Sequence, residues 1–200
     1  MSSTPIDAEL AESVERWNLL NHPFYRSWSA GTLPTEALAS YAREYGAFID
    51  LLPFGWAVQG DVETAEEERE HAELWGDFAA ALDTRIGIPM LAETRALCDS
   101  ARRLFADRAT AMGALYAFEA QQPPTATSKL HGLRKHYALG APAEVYFEKH
   151  TANHHEAAKL RQRIHALSPA DQRHAVTACD QMGQALWNAL SGIHAGAGCM

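Results

Sequence analysis

The chain predicts an all-α fold: a single-domain bundle of seven to eight helices over residues 1–195, with residues 196–200 as a flexible tail. Three observations predict it. Apolar residues return every three or four positions in one segment after another, the period of a helix that buries one face. Prolines and glycines separate those segments where helix ends are needed. Strand-like alternation, internal repeats and long linkers are absent from the sequence.

The first helix runs from Ala8 to Leu20, and NHPFYRSWSAGTLPTEAL follows as a turn, because Pro23, Gly31 and Pro34 each interrupt a helix. From Thr35 the positions Leu38, Tyr41, Tyr45, Phe48 and Leu52 step by three or four, giving a helix that ends near Pro53. Its aromatic inward face reads as core. The next helix spans about Val62 to Leu82, with Leu74, Trp75, Phe78 and Leu82 buried and His71 at the centre of that face. Pro89 opens a segment through Phe105, and Ala109 to Gln122 forms another. Pro123 and Pro124 break the chain before Thr125 to Leu139, which Gly140 stops. From Pro142 one helix continues to about Leu167; Ser168 then caps a last helix that starts at Pro169 and runs to about Ile193.

The composition narrows the function. A net charge of −8 leaves no basic face for nucleic-acid phosphates. No apolar run reaches the roughly 20 residues of a membrane helix, and no signal peptide precedes the first helix, so a soluble cytoplasmic protein is expected. Cys98, Cys179 and Cys199 are odd in number and widely spaced, which suits a reducing compartment better than a disulfide framework.

Chemistry concentrates on three helical faces. Met112, Leu115, Tyr116, Glu119 and Gln122 recur at three and four, which turns the Glu119 carboxylate toward the apolar side. Tyr146, His150, Ala157, Leu160 and Ile164 share another face; His154 stays near it, whereas His155 is turned about 140° from His150. His154 is therefore the expected partner of His150. On the third face Glu67 lies about 40° to one side of His71 and Glu68 about 60° to the other, so either carboxylate can accompany it. Taken singly, these glutamates fit a solvated charge run and His71 fits a core histidine. Jointly they form a carboxylate and imidazole set, and Glu68-x-x-His71 has the spacing that bundles use to hold two metals. A buried carboxylate is costly unless paired, protonated or metal-bound, and iron or manganese suits these ligands.

The segments HPFYRSWSAGTL, EHAELWGDFAAAL, YAFEAQQPPTATSKLHGL and YFEKH resemble the heme-oxygenase-like superfamily that contains thiaminase II and the pyrroloquinoline-quinone synthesis protein C. They look closest to its non-heme di-iron oxidase and oxygenase branch, and the likeness runs from His22 to about Ile164. The resemblance implies an enzyme holding one or two irons on Glu68 or Glu67, His71, Glu119, His150 and His154. Such an enzyme uses O2 to oxidise a small-molecule substrate or a side chain of its own. It also implies functional roles for Tyr25, Lys129 and Tyr146, and a homodimer. Three positions depart from the branch: Thr64 stands where a glutamate is expected, His154 where an aspartate is, and Ala157 where a histidine is.

Other readings of the same fold are weaker. A thiaminase II-like hydrolase needs a nucleophilic cysteine, and none of the three falls at the matching place, while QALWNAL in the last helix lacks the expected glutamate. Heme binding would call on His22. A degenerate, non-enzymatic binding module is suggested by Thr64 and Ala157.

Overall fold

The computed structural model describes residues 4–196, and all regular structure among them is helical. Of the expected tail at 196–200, Gly196 belongs to the last helix, and residues 197–200, with Cys199, lie outside the described residues. The eleven α-helices are α1 Pro5–Arg16, α2 Pro23–Ala30, α3 Thr35–Ile49, α4 Leu52–Val58, α5 Val62–Ala80, α6 Ala92–Leu104, α7 Arg108–Glu119, α8 Gln122–Gly132, α9 Val145–His150, α10 His155–His165 and α11 Pro169–Gly196. No helix among the described residues is long and apolar enough to cross a membrane. The helices pack as a bundle, with α11 running along α7, α6 and α1.

Three helices beyond the expected set come from local caps and breaks. The segment expected as a turn holds α2: Pro23 occupies its first turn, where no amide partner is needed, and His22 Nδ1 accepts the Phe24 N–H at 3.1 Å. Gly31, at φ 70°, ends α2 in the left-handed conformation that a side chain resists. Pro53 sits in the first turn of α4 rather than closing α3. The stretch expected as one helix from Pro142 is interrupted after His150, and α10 starts afresh at His155. Pro123 and Pro124 likewise lie in the first turn of α8, which passes into a π-helical stretch, Leu133–Tyr137.

Capping explains the other boundaries. Thr4 and Asp7 form a reciprocal capping box on α1, Asp61 caps α5, and Asp107 accepts the Ala109 and Thr110 amides of α7. Ser168 accepts the Asp171 N–H at 3.2 Å, as its place before Pro169 predicts. α6 begins at Ala92, three residues beyond the expected Pro89, because the Met90 and Leu91 amides donate to Glu44 instead of entering the helix.

One hydrophobic cluster runs through the bundle, and the aromatic face of α3 is part of it: Leu38, Tyr41, Tyr45, Phe48 and Leu52 are all buried. α7 and α11 approach tightly at Gly113, where an added Cβ would stand 1.8 Å from the Ala175 carbonyl oxygen. Only glycine lets α7 approach α11 that closely.

Candidate metal centre

Four helices bring acidic and imidazole side chains to one buried point. α5 supplies Glu68 and His71, α7 ends on Glu119, α9 ends on His150, and α10 begins with Glu156 in its first turn. Glu68, Glu119, His150 and Glu156 are at most 1% exposed, and His71 is half-buried. Their ligand atoms fall into two overlapping triads, Glu68–His71–His150 and Glu68–Glu119–Glu156, with the atoms of each within 4.8 Å of one another. Glu68 belongs to both.

The hydrogen bonds orient these groups without satisfying them. Tyr146 O accepts a bond from His150 Nδ1 at 2.7 Å. A carbonyl can only accept, so the proton sits on Nδ1 and Nε2 keeps its lone pair, the tautomer of a metal ligand. His71 Nδ1 meets Glu68 Oε1 at 2.9 Å, and Asn153 Nδ2 donates to Glu156 Oε2 at 2.6 Å. His150 Nε2, Glu68 Oε2, Glu119 Oε1 and Glu156 Oε1 remain buried with no hydrogen-bond partner among the described residues. Four orphaned acceptors at one point, three of them from carboxylates, are what a buried divalent cation requires. This donor set fits iron or manganese.

Electrostatics agree. Burial, then the charges of Glu156 and Glu68, push the Glu119 carboxyl well above its usual range. Burial also raises Glu68, against the His71 hydrogen bond that lowers it. Burial opposes protonation of His71, but the bond to Glu68 and the surrounding carboxylates outweigh it and hold its pKa above 6.5. Burial and the neighbouring His71 take His150 down to about 3, which keeps its imidazole neutral.

Of the residues expected from sequence, Glu68, His71, Glu119 and His150 meet at this point. Glu67 does not: one residue along α5, it faces solvent. His154 is a correction. It is exposed and outside every triad, because the chain leaves the helical path after His150. Glu156 takes the inward place and was missed for the same reason: on a continuous helix it would sit about 120° from His150. A cue was present in Asn153-x-x-Glu156, the pattern of a new helix start. Thr64, where the resemblance expects a glutamate, is buried and holds the Lys159 ammonium at 2.7 Å; Lys159 and Arg163 also bind Asp61. That corner is filled by a cation instead of a carboxylate.

Tyr25, Lys129 and Tyr146 are buried as well. Lys129 Nζ is buried, 3.5 Å from Tyr25 Oη and 3.4 Å from Tyr41 Oη, and the two phenols meet at 2.9 Å. Burial lowers the Lys129 pKa to about 7 and raises those of Tyr25 and Tyr41, so the phenols keep their protons. Tyr146 accepts from Gln122 at 2.9 Å, and its ring centroid stands 4.2 Å from that of His150. Adjacent rings connect the two regions: Tyr41 to Trp75 at 5.3 Å and Trp75 to Tyr146 at 4.8 Å.

Among the described residues the rival sites do not assemble. Cys98 and Cys179 are buried, and burial pushes their thiols up to about 11 and 12, far from a thiolate nucleophile. Both His22 nitrogens are committed, Nδ1 to Phe24 N and Nε2 to Ser191 Oγ at 3.0 Å, so neither is free for a heme iron.

Comparison with known proteins agrees with this geometry. Residues 53–188 match the family described as iron-containing redox enzymes, which covers α4 to α10 and most of α11. Two proteins named 4-aminobenzoate synthase are similar to the chain. The one from Nitrosomonas europaea is 29% identical, over 97% of this chain and 93% of its own length. The one from Chlamydia pneumoniae is 27% identical, over 91% and 92%. A solved domain of unknown function with a heme oxygenase-like fold, from Shewanella denitrificans OS217, superposes with a TM-score of 0.79 at 14% identity, covering 98% of this chain and 94% of that one. The chain belongs to the iron-containing redox enzymes.

Proposed function

We propose that this member of the iron-containing redox enzymes is a non-heme iron oxidase or oxygenase that uses O2 on a small metabolite or on its own side chains. The observation that carries the reading is the convergence of four unpartnered buried acceptors, on Glu68, Glu119, His150 and Glu156. Glu68, His71 and His150 would hold one iron and Glu68, Glu119 and Glu156 a second, with Glu68 shared. The bound iron would supply electrons to O2.

The chain's own residues prepare the rest. Tyr146 O fixes the His150 tautomer, and Asn153 holds Glu156 in its inward pose. Burial lowers the Lys129 pKa to about 7, which brings the neutral amine within reach near neutral pH, so it can take the Tyr25 phenolic proton when that ring is oxidised. The rings of Tyr41, Trp75 and Tyr146 stand in series between the buried phenols and His150. The relatives' name, 4-aminobenzoate synthase, is consistent with a reaction ending on an aromatic amine, and here an amine stands against two phenols.

Anaerobic loading with Fe(II), metal counting by mass spectrometry and O2 titration test the reading. Two tightly held irons per chain, one for each buried triad, and stoichiometric O2 consumption are expected. A chain that takes up no iron would overturn it.

A further inference from the structure

Outside the buried centre a third triad stands at its mouth. Glu67, His155 and Glu156 each offer a ligand atom within 4.8 Å of the others. Glu67 and His155 are exposed, but Glu156 is fully buried, and its Oε1 has no hydrogen-bond partner among the described residues. The triad lines a cleft of about 310 Å³ that His71, a member of the inner set, also lines. Three carboxylates, Glu67, Glu70 and Glu156, face the cleft against one ammonium, Lys149. The balance is negative, which concentrates cations at a concave opening.

We propose that Glu67, His155 and Glu156 form a separate divalent-metal site, a capture site through which the ion enters the buried centre. The proposal rests on the metal reading of that centre. Two carboxylates and an imidazole suit Fe(II), Mn(II), Co(II) or Zn(II). Adjacent residues on α5 point about 100° apart, so Glu67 and Glu68 serve the outer and inner sites from the same level of one helix. Glu156 belongs to both sides. An ion held outside exchanges Glu67 and His155 for Glu68 and Glu119 while it keeps Glu156, and it sheds water in the same step. The outer site binds more weakly, because two of its three side chains are solvated and must be ordered on binding.

The test uses the full chain, metal-free and anaerobic, with Mn(II) alone as the probe. Equilibrium dialysis counts bound ions, and a fluorescent chelator competing for Mn(II) follows their uptake. Glu67→Gln and His155→Ala alter exposed side chains, and circular dichroism checks that the fold is kept. Each variant is expected to lose one weakly held ion and to fill the inner centre about tenfold more slowly, with unchanged final inner occupancy. An unchanged rate overturns the proposal, and loss of the weak ion without slower filling marks that ion as adventitious only. Glu119→Gln separates the two readings. If wild type holds Mn(II) that this variant loses, the centre stands and the variants at the mouth decide the capture site alone. If wild type holds none, both fail together.

Discussion

Glu44 and Glu119 are equally shut off from solvent, at 0% and 1% exposure, yet the fold treats the two carboxylates in opposite ways. Glu44 accepts the Met90 and Leu91 amides and the Thr94 hydroxyl, and Arg43 lies 3.4 Å away. Burial alone would raise its pKa, but those donors and Arg43 bring it below the usual value. Glu119 has carboxylates for neighbours and an orphaned oxygen, and its pKa goes the other way. A buried acid with a full set of donors is a structural fastening. One left among like charges is a place made for a cation that the polypeptide does not supply.

The contrast breaks most sharply on exchanging each acid for its amide. Glu119→Gln should lower O2 consumption roughly a hundredfold or more, since losing a side chain that would hold the metal costs more than losing one that only supports such a side chain. It should also remove the stabilisation that Mn(II) gives wild type, about 2.7 kcal/mol at a hundred times its dissociation constant, as read by thermal unfolding. Equal stabilisation of both proteins would place the ion elsewhere. Glu44→Gln should leave the ion count unchanged but cost about 2 kcal/mol, the loss of a charged acceptor from several donors. For a chain of this size that lowers Tm by roughly 4–8 °C. A drop in metal content instead would erase the distinction between the two acids.

The smallest effect lies in pH. Glu119 has a raised pKa when folded, so this group holds more proton folded than unfolded, and its own contribution to the stability of metal-free protein grows as pH falls from 7 toward 5. Glu44 has a lowered folded pKa; its contribution is complete above its usual value of 4.5 and is lost only below that. In chelator, the urea midpoint difference between wild type and Glu119→Gln should shift in favour of wild type on acidification over that window. The difference between wild type and Glu44→Gln should stay flat there. A Glu119→Gln difference that is also flat would mean that Glu119 is already satisfied.

Much of this was legible in the residue spacing, and what was not traces to specific breaks. Periodicity alone turns Glu119, His71 and His150 inward, because each has apolar neighbours on the helical stretch that leads up to it, and α7, α5 and α9 are intact that far. It left Glu67 and Glu68 open, since both flank His71 and only the packing of α5 against its neighbours decides between them. It favoured His154 over Glu156 because angular reasoning assumes an unbroken helix, and the interruption between α9 and α10 resets the angle. α2 was hidden by reading Pro23 and Gly31 as interruptions, when they are the start and stop of one short helix. Lys129 was placed by resemblance, and its contact with Tyr25 and Tyr41 joins α8 to α2 and α3 across distances that local patterning does not encode.

The glycine contact between α7 and α11 has a mechanical consequence. With Gly113 seated against Ala175, α7 has no slack, and Glu119 at its end is an anvil against which the other side chains close. Glu156 is reached differently, one residue into α10 and just after a non-helical joint. The centre thus joins a carboxylate at the end of a tightly seated helix to one that follows a break in the helical path, and the break lies on the side that faces the cleft.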